Sequence, residues 1–122
     1  YTQYQYRDLR LEGDLTPTNG SVQVSVQVSN VGARAGEEIV QLYVGCRDTA
    51  VDRPLKALKG FRRVALQPGE TKTVSFELQP EDLAYYDVQE KRWAVEPAEY
   101  SVYVGASSRE EDLLKVGFRV SG

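Results

Sequence analysis

Hydrophobic and polar positions alternate strictly over residues 21–29, where valine stands at every even position and serine or glutamine at every odd one. Successive side chains of a β-strand point to opposite faces, so this pattern predicts a strand with one buried and one solvated face. β-branched valine also fits a pleated sheet better than it fits a helix. The segment is therefore predicted to belong to an antiparallel sheet.

The same period of two recurs, less regularly, along the rest of the chain. The first of these segments changes face between Tyr6 and Leu9, and another loses its alternation near Gly60, where a bulge or bend is predicted. A third carries Ile39 and Tyr43 on its second face, which indicates a central strand or one covered by another domain. The predicted strands are Tyr4–Leu11, Ser21–Ser29, Glu38–Val44, Leu58–Leu66, Thr71–Leu78, Tyr100–Val104 and Leu114–Val120.

Turn-forming residues separate these strands. Residues 67–70 (Gln-Pro-Gly-Glu) predict a tight turn with the glycine at positive φ, and residues 80–83 (Pro-Glu-Asp-Leu) predict one short helical turn. Residues 87–91 predict the tip of a small hairpin. Tyr100 enters a late strand just after a turn, which matches a tyrosine corner, although an ordinary half-buried strand tyrosine is the alternative. About seven strands plus one extra hairpin predict an all-β, immunoglobulin-like antiparallel sandwich.

Composition narrows the possible functions. The 122 residues suit one domain, and a net charge of −3 gives no electrostatic footprint for nucleic acid. No apolar run is long enough to predict a membrane-spanning helix. The chain has no histidine, which removes the commonest general base and the commonest metal ligand. Cys46 is the single cysteine, so no internal disulfide is possible, and a cytoplasmic, periplasmic or secreted parent protein all stay open.

Five motifs resemble, in order and spacing, the fibronectin type III-like domain of glycoside hydrolase family 3. They are Asn30-Val31-Gly32 with residues 36–44 (GEEIVQLYV), residues 53–61 (RPLKALKGF), residues 66–71 (LQPGET), residues 80–87 (PEDLAYYD) and Trp93 with Val95-Glu96-Pro97. The resemblance implies a fibronectin type III-like fold over residues 1–122, with residues 1–3 as the end of a linker from a preceding hydrolase domain. It also implies a parent enzyme of the β-glucosidase or β-xylosidase type, which hydrolyses with retention.

The same resemblance implies a non-catalytic accessory domain that packs on the preceding catalytic domains of its own chain. The nucleophile and the acid/base carboxylate belong to those domains, so no catalytic residue is carried onto this sequence. The chain lacks an initiator methionine, which agrees with a longer parent. No cofactor, nucleic-acid or membrane partner is expected.

The carboxylates of the sequence are predicted to be solvated surface groups. Retaining glycosidases hold two carboxyl groups about 5 Å apart, whereas neighbours in a strand, such as Glu37 and Glu38, point to opposite faces. Glu81-Asp82 lies at a helical turn and residues 110–112 in a polar loop. Asp48 and Asp52 lack the oxygen spacing of a calcium loop, so no metal site is predicted. Cys46 is interpreted as a structural residue at a strand end rather than a reactive thiol.

Two groups of residues are candidates for binding. The long loop predicted over residues 45–59 places Arg53 and Pro54 beside charged and apolar neighbours, and we expect them, with Tyr1 and Tyr4, to contact the preceding hydrolase domain. A solvated loop is the alternative.

A sugar-stacking platform is the other candidate, built from Tyr85, Tyr86 and Trp93 around the predicted hairpin. The favoured alternative places Trp93 in the core or against the catalytic domain. Besides the accessory role, a carbohydrate-binding module and an unrelated protein-interaction sandwich therefore stay open.

Overall fold

The structure, a computed structural model, describes residues 3–46, 57–106 and 113–120. Antiparallel strands make up most of it, and a short 3₁₀ helix, Pro80–Leu83, lies between the fifth and sixth strands. The strands are β1 (Tyr4–Glu12), β2 (Val22–Asn30), β3 (Gly36–Cys46), β4 (Ala57–Leu66), β5 (Thr71–Leu78), β6 (Tyr85–Asp87), β7 (Arg92–Ala94), β8 (Ala98–Gly105) and β9 (Leu114–Val120).

Seven of the strands described form two sheets that pack face to face. One sheet has the order β1-β2-β5 and the other the order β4-β3-β8-β9, while β6 and β7 form a separate hairpin. This arrangement confirms the predicted sandwich of about seven strands with a small extra hairpin. It also confirms β3 as a central strand, since β3 pairs with β4 on one side and β8 on the other.

The core lies between the sheets and is built from the alternation seen in the sequence. The four valines of β2 are buried, while Gln23 between them is exposed. Facing them from the other sheet are Val40, Leu42, Tyr100, Val102 and Val104. Full burial of each such side chain stabilises the fold by about 1.5–3 kcal/mol, so this single apolar layer is the main source of stability.

Two strands contain the irregularities that broken alternation predicts. In β1 the register slips by one residue between Arg7 and Arg10, and Asp8 adopts a φ of 56° there. In β4 the slip leaves Lys59 unpaired beside Gly60. A Cβ on Gly60 would lie 3.3 Å from the ring of Phe76, so glycine allows this edge strand to approach the core closely.

The predicted Pro-Gly turn and short helix are both present, and one predicted loop is shorter than expected. Gly69 has a φ of 81°, as a type II turn requires at its third position. The predicted bounds of the loop over residues 45–59 are wrong, because β3 extends past the first of them and β4 begins before the last. Gly45 pairs with Ser101 in β8, and Leu58 pairs with Tyr43 in β3.

Tyr100 forms the predicted tyrosine corner. Its hydroxyl donates a hydrogen bond to the backbone carbonyl of Glu96 at 2.6 Å, and its ring is buried in the core. The ring also stacks on Phe118 of β9, with 5.7 Å between the centroids. This one side chain therefore fixes the path by which the chain enters β8 from the small hairpin.

Asn30 ties together the opposite end of the sandwich. It is fully buried, and its side-chain nitrogen donates to the carbonyls of Arg34, at 2.7 Å, and Leu66, at 3.1 Å. Its side-chain oxygen accepts from the backbone N–H of Gly32 at 2.9 Å. Because Leu66 ends β4 while Asn30 ends β2, the amide joins the two sheets across the core.

We expect Asn30→Ala to lower the free energy of unfolding by about 2–4 kcal/mol, since it leaves buried backbone groups without their partners. Urea denaturation followed by circular dichroism measures this change. Asn19→Ala is the matched control, because Asn19 is exposed in a surface turn, and its effect should stay within about 0.5 kcal/mol. Equal effects of the two substitutions would contradict a special role for the buried amide.

Tyr100→Phe keeps the ring and removes only the corner hydrogen bond. We expect a loss of about 1–3 kcal/mol in unfolding free energy, since the carbonyl of Glu96 loses its donor. Tyr86→Phe removes a hydroxyl from a largely exposed tyrosine and should be neutral in the same denaturation experiment. If both variants unfold at the wild-type urea concentration, the corner does not stabilise the fold.

Candidate interaction surfaces

The carboxylates are held apart or used in structural contacts within the described residues. Glu37 and Glu38 lie on opposite faces of β3, as predicted, and Glu38 accepts a hydrogen bond of 3.0 Å from the Tyr6 hydroxyl. Burial raises the pKa of Tyr6 strongly, and the neighbouring Glu38 charge raises it further. Asp82 accepts from the backbone N–H of Gln79 at 2.8 Å and so caps the 3₁₀ helix. Glu38 and Asp82 are therefore engaged in structural contacts.

Metal and thiol chemistry receive no support from the residues in view. Over residues 3–46, 57–106 and 113–120, no group of three or more possible metal ligands occurs. Asp48, Asp52 and residues 110–112 lie outside the described residues. Cys46 ends β3, as predicted, and its sulfur lies 3.9 Å from a carboxylate oxygen of Glu96. Among the residues described, no helix has the length and hydropathy needed to cross a membrane.

The residues predicted to contact a neighbouring hydrolase domain are only partly in view. Tyr1, Arg53 and Pro54 lie outside the described residues. Tyr4 is half-buried in β1 and packs against the core of the sandwich, with its hydroxyl buried and without a hydrogen-bond partner. The Tyr4 side chain is therefore committed in part to its own domain.

The small hairpin separates the three aromatic residues that the sequence grouped together. Tyr86 and Trp93 are direct cross-strand partners, so their rings project from the same face of the hairpin. Tyr85 points the other way and lines a cavity with Leu83 and Tyr100. The predicted three-residue platform is thus a pair, because neighbouring residues of a strand alternate in direction.

Trp93 and Tyr86 form an exposed aromatic corner. The Trp93 side chain is 68% exposed and the Tyr86 side chain 48% exposed. Their ring centroids are 5.5 Å apart and their planes meet at 76°, an edge-to-face arrangement. Trp93 was expected in the core or against the catalytic domain. The core placement is wrong, because Trp93 pairs with Tyr86 and so projects from the face opposite Tyr85, and the contact with the catalytic domain stays a prediction.

A second exposed apolar surface lies on the outer face of the four-stranded sheet. Phe61 is 63% exposed and Leu58 is 52% exposed, and both lie on the edge strand β4. Their partners in β3 are Gln41 and Tyr43, and Ile39 continues the same row of β3. We call Ile39, Leu58 and Phe61 the outer-face patch. The apolar residues on the second face of β3 indicate this patch in the sequence. The orientation of Phe61 could not be predicted, because the alternation of β4 is broken.

Comparison with known proteins gives consistent matches. The family profile of the fibronectin type III-like domain matches residues 38–108. Thermostable β-glucosidase B of Acetivibrio thermocellus is 46% identical over 99% of this chain, and a β-xylosidase of Formosa agariphila is 43% identical over 98%. The crystal structure of a Listeria innocua β-glucosidase in complex with glucose superposes with a TM-score of 0.88 at 35% identity, covering the whole chain.

This chain spans only a small part of those proteins. It covers 16% of the β-glucosidase of Acetivibrio thermocellus, 16% of the β-xylosidase and 16% of the Listeria innocua protein. In each relative the matched region is thus a minor segment of a longer single chain. The resemblance predicted from the five sequence motifs is confirmed.

Because Trp93 is largely exposed, its removal should cost the isolated chain little. We expect Trp93→Ala to lower the unfolding free energy by about 1 kcal/mol or less, the worth of one edge-to-face aromatic contact. Leu83→Ala, in the neighbouring 3₁₀ helix, removes a buried side chain and should cost about 2–4 kcal/mol. Denaturant titration of both variants checks this, and a comparable loss for Trp93→Ala would mean that the indole supports the fold.

Proposed function

Because the chain belongs to the fibronectin type III-like domain family, we propose that it is a non-catalytic accessory domain of a larger β-glycosidase. In this proposal residues 1–122 form one such domain, and residues 1–3 are the end of the linker that joins it to a hydrolase domain. The parent enzyme hydrolyses β-glucosides or β-xylosides, and the domain packs on the catalytic domains of the same chain. The single observation that carries the proposal is that the chain matches a 16% segment of a β-glucosidase over nearly its whole length.

The chemistry of the described residues supports placing catalysis elsewhere in the parent. Glycoside hydrolysis with retention needs two carboxyl groups about 5 Å apart beside a sugar pocket. Glu38 is held by Tyr6, and Asp82 caps a helix, so both carboxylates are engaged in structural contacts. The chain also lacks histidine altogether.

The outer-face patch supports a contact with a larger body. Phe61 and Leu58 are both more than half exposed, although apolar side chains of this size gain about 1.5–3 kcal/mol each on full burial. A sheet with apolar side chains on both faces is normally covered on both faces. We propose that the catalytic domains cover this face. The contact of Tyr1, Tyr4, Arg53 and Pro54 with the preceding hydrolase domain is a separate proposal, in which Tyr4 takes part only with the portion of its side chain that its own domain leaves exposed.

The complete parent protein provides the test. We expect Phe61→Ser combined with Leu58→Ser to lower the melting temperature of the complete protein while leaving the melting temperature of the 122-residue chain nearly unchanged. The reason is that both side chains are exposed in the chain alone and buried in the assembled enzyme. Differential scanning calorimetry of the two proteins measures the difference.

Val88→Ser is the matched control, because Val88 is an apolar residue with 75% exposure that lies outside the outer-face patch. It should affect neither protein. Aryl β-glucosides and aryl β-xylosides should be cleaved by the complete protein and left intact by the 122-residue chain. An unchanged melting profile of the double variant would overturn the docking face, and a complete protein inert on both substrates would overturn the parent activity.

A further inference from the structure

We infer that the corner between Tyr86 and Trp93 binds one pyranose ring of a β-linked glucose or xylose chain. The inference rests on the proposed function for the class of sugar, and on the geometry of the hairpin for the site itself. It adds to the accessory role a binding site that holds carbohydrate on the domain.

The backbone of the hairpin presents the two rings together. Tyr86 and Trp93 occupy opposite positions in β6 and β7, and the strands are joined by a turn in which Asp87 accepts hydrogen bonds from the N–H groups of Gln89, at 3.0 Å, and Glu90, at 3.2 Å. On its other face the hairpin is anchored by Tyr85, which lines a cavity beside Tyr100. The rings are therefore carried on a braced support, which reduces the entropy lost when they bind a ligand.

The angle between the rings suits a sugar. A pyranose with equatorial substituents has two faces of C–H groups and a rim of hydroxyls. Aromatic faces carry partial negative charge, so they attract the slightly positive C–H groups of a sugar face. With planes at 76° and centroids 5.5 Å apart, Trp93 and Tyr86 form two walls of a corner, one for a face of the sugar and one for its edge.

The surroundings of the corner favour a glycan over a protein surface. The charged Glu90 and Lys91 are exposed in the turn at the end of the hairpin, whereas Arg92 lies on the face opposite Trp93. A protein partner would have to remove water from these charges, and two rings alone fall far short of the roughly 1,200 Å² that a stable protein interface buries. A glycan instead offers hydroxyl groups that exchange hydrogen bonds with charged side chains while its ring stacks on the indole.

The outer-face patch offers the opposite combination. Its exposed residues are two aliphatic side chains and one phenyl ring, Ile39, Leu58 and Phe61, spread along two paired strands. Such an extended sheet face suits a broad protein contact. The aromatic corner is compact and carries a hydroxyl and an indole N–H, which suits a small, partly polar ligand.

Trp93 is the only tryptophan of the chain, so its fluorescence reports on this site alone. The experiment titrates the 122-residue chain with cellohexaose, xylohexaose and maltohexaose. We expect a saturable blue shift of the Trp93 emission with cellohexaose or xylohexaose, at millimolar concentrations, and a smaller shift with maltohexaose, whose axial α-linkages interrupt the flat face of each ring. Millimolar affinity is what one stacked ring supplies.

Two variants keep the tryptophan and test the corner. Tyr86→Ala removes one wall and should weaken binding by about 3–10-fold, the worth of one aromatic contact. Tyr86→Phe retains the wall and should bind within about 2-fold of the wild type, since the contact is made by the ring. Phe61→Ser alters the outer-face patch and should bind as the wild type does. The Trp93→Ala variant has no tryptophan, so its binding is measured by affinity electrophoresis in a gel that contains soluble β-glucan. We expect the β-glucan to retard the wild-type chain and not this variant.

Two results would overturn the site. One is the absence of any emission change with cellohexaose or xylohexaose in the 122-residue chain. The other is a Trp93→Ala substitution that lowers the melting temperature of the complete protein but not that of the 122-residue chain, which would place the corner against a neighbouring domain. The proposed function is judged separately. If the complete protein cleaves aryl β-glycosides but the Trp93 emission of the 122-residue chain does not change, only the proposed binding site is overturned. If that emission changes but the complete protein is inactive, only the proposed parent activity is overturned.

Discussion

The buried side-chain amide of Asn30 is the interaction on which the geometry of the sandwich depends. Two sheets packed through apolar side chains can slide with little loss of contact area, since the hydrophobic effect has no direction. Hydrogen bonds have direction, and those from Asn30 to Arg34 and Leu66 fix the end of β2 against the end of β4. At the other end of β3, the Tyr100 hydroxyl holds the carbonyl of Glu96 and so fixes the path of the chain into β8. The apolar core stabilises the domain, and these two polar ties set its register.

That register determines what the domain presents outside. Because the chain from the hairpin to β8 is held by the Tyr100 hydroxyl, the hairpin leaves the sandwich in a fixed direction with Tyr85 turned inward. Alternation then leaves Tyr86 and Trp93 on the outer side. The same rule applied to β3 turns Val40 and Leu42 into the core and leaves Ile39 outside. Both exposed surfaces are thus consequences of the core.

Much of this fold is predictable because its information is local. The alternation of valines within the nine residues of β2 is enough to predict which face is buried. The Pro-Gly turn and the tyrosine corner each depend on four or five consecutive residues. The role of Asn30 is different, because one of its acceptors, Leu66, lies 36 residues away. The exposure of Trp93 is hard to predict for a related reason. A three-residue strand is too short for its alternation to reveal an inner face, so only the pairing with β6 decides it.

The two exposed surfaces differ in a way that size and charge explain. The outer-face patch spreads aliphatic and phenyl groups over paired strands, so covering it removes a broad apolar area from water, and the exposed Arg63 opposite Ile39 must then be paired or left at the border. The aromatic corner stands on a narrow hairpin beside Glu90 and Lys91, where any large partner must displace water from charged groups. A ligand with its own hydroxyl groups avoids that cost. In the proposed assembly, the domain rests its outer face on the catalytic domains and retains, on its hairpin, a surface suited to sugar chains.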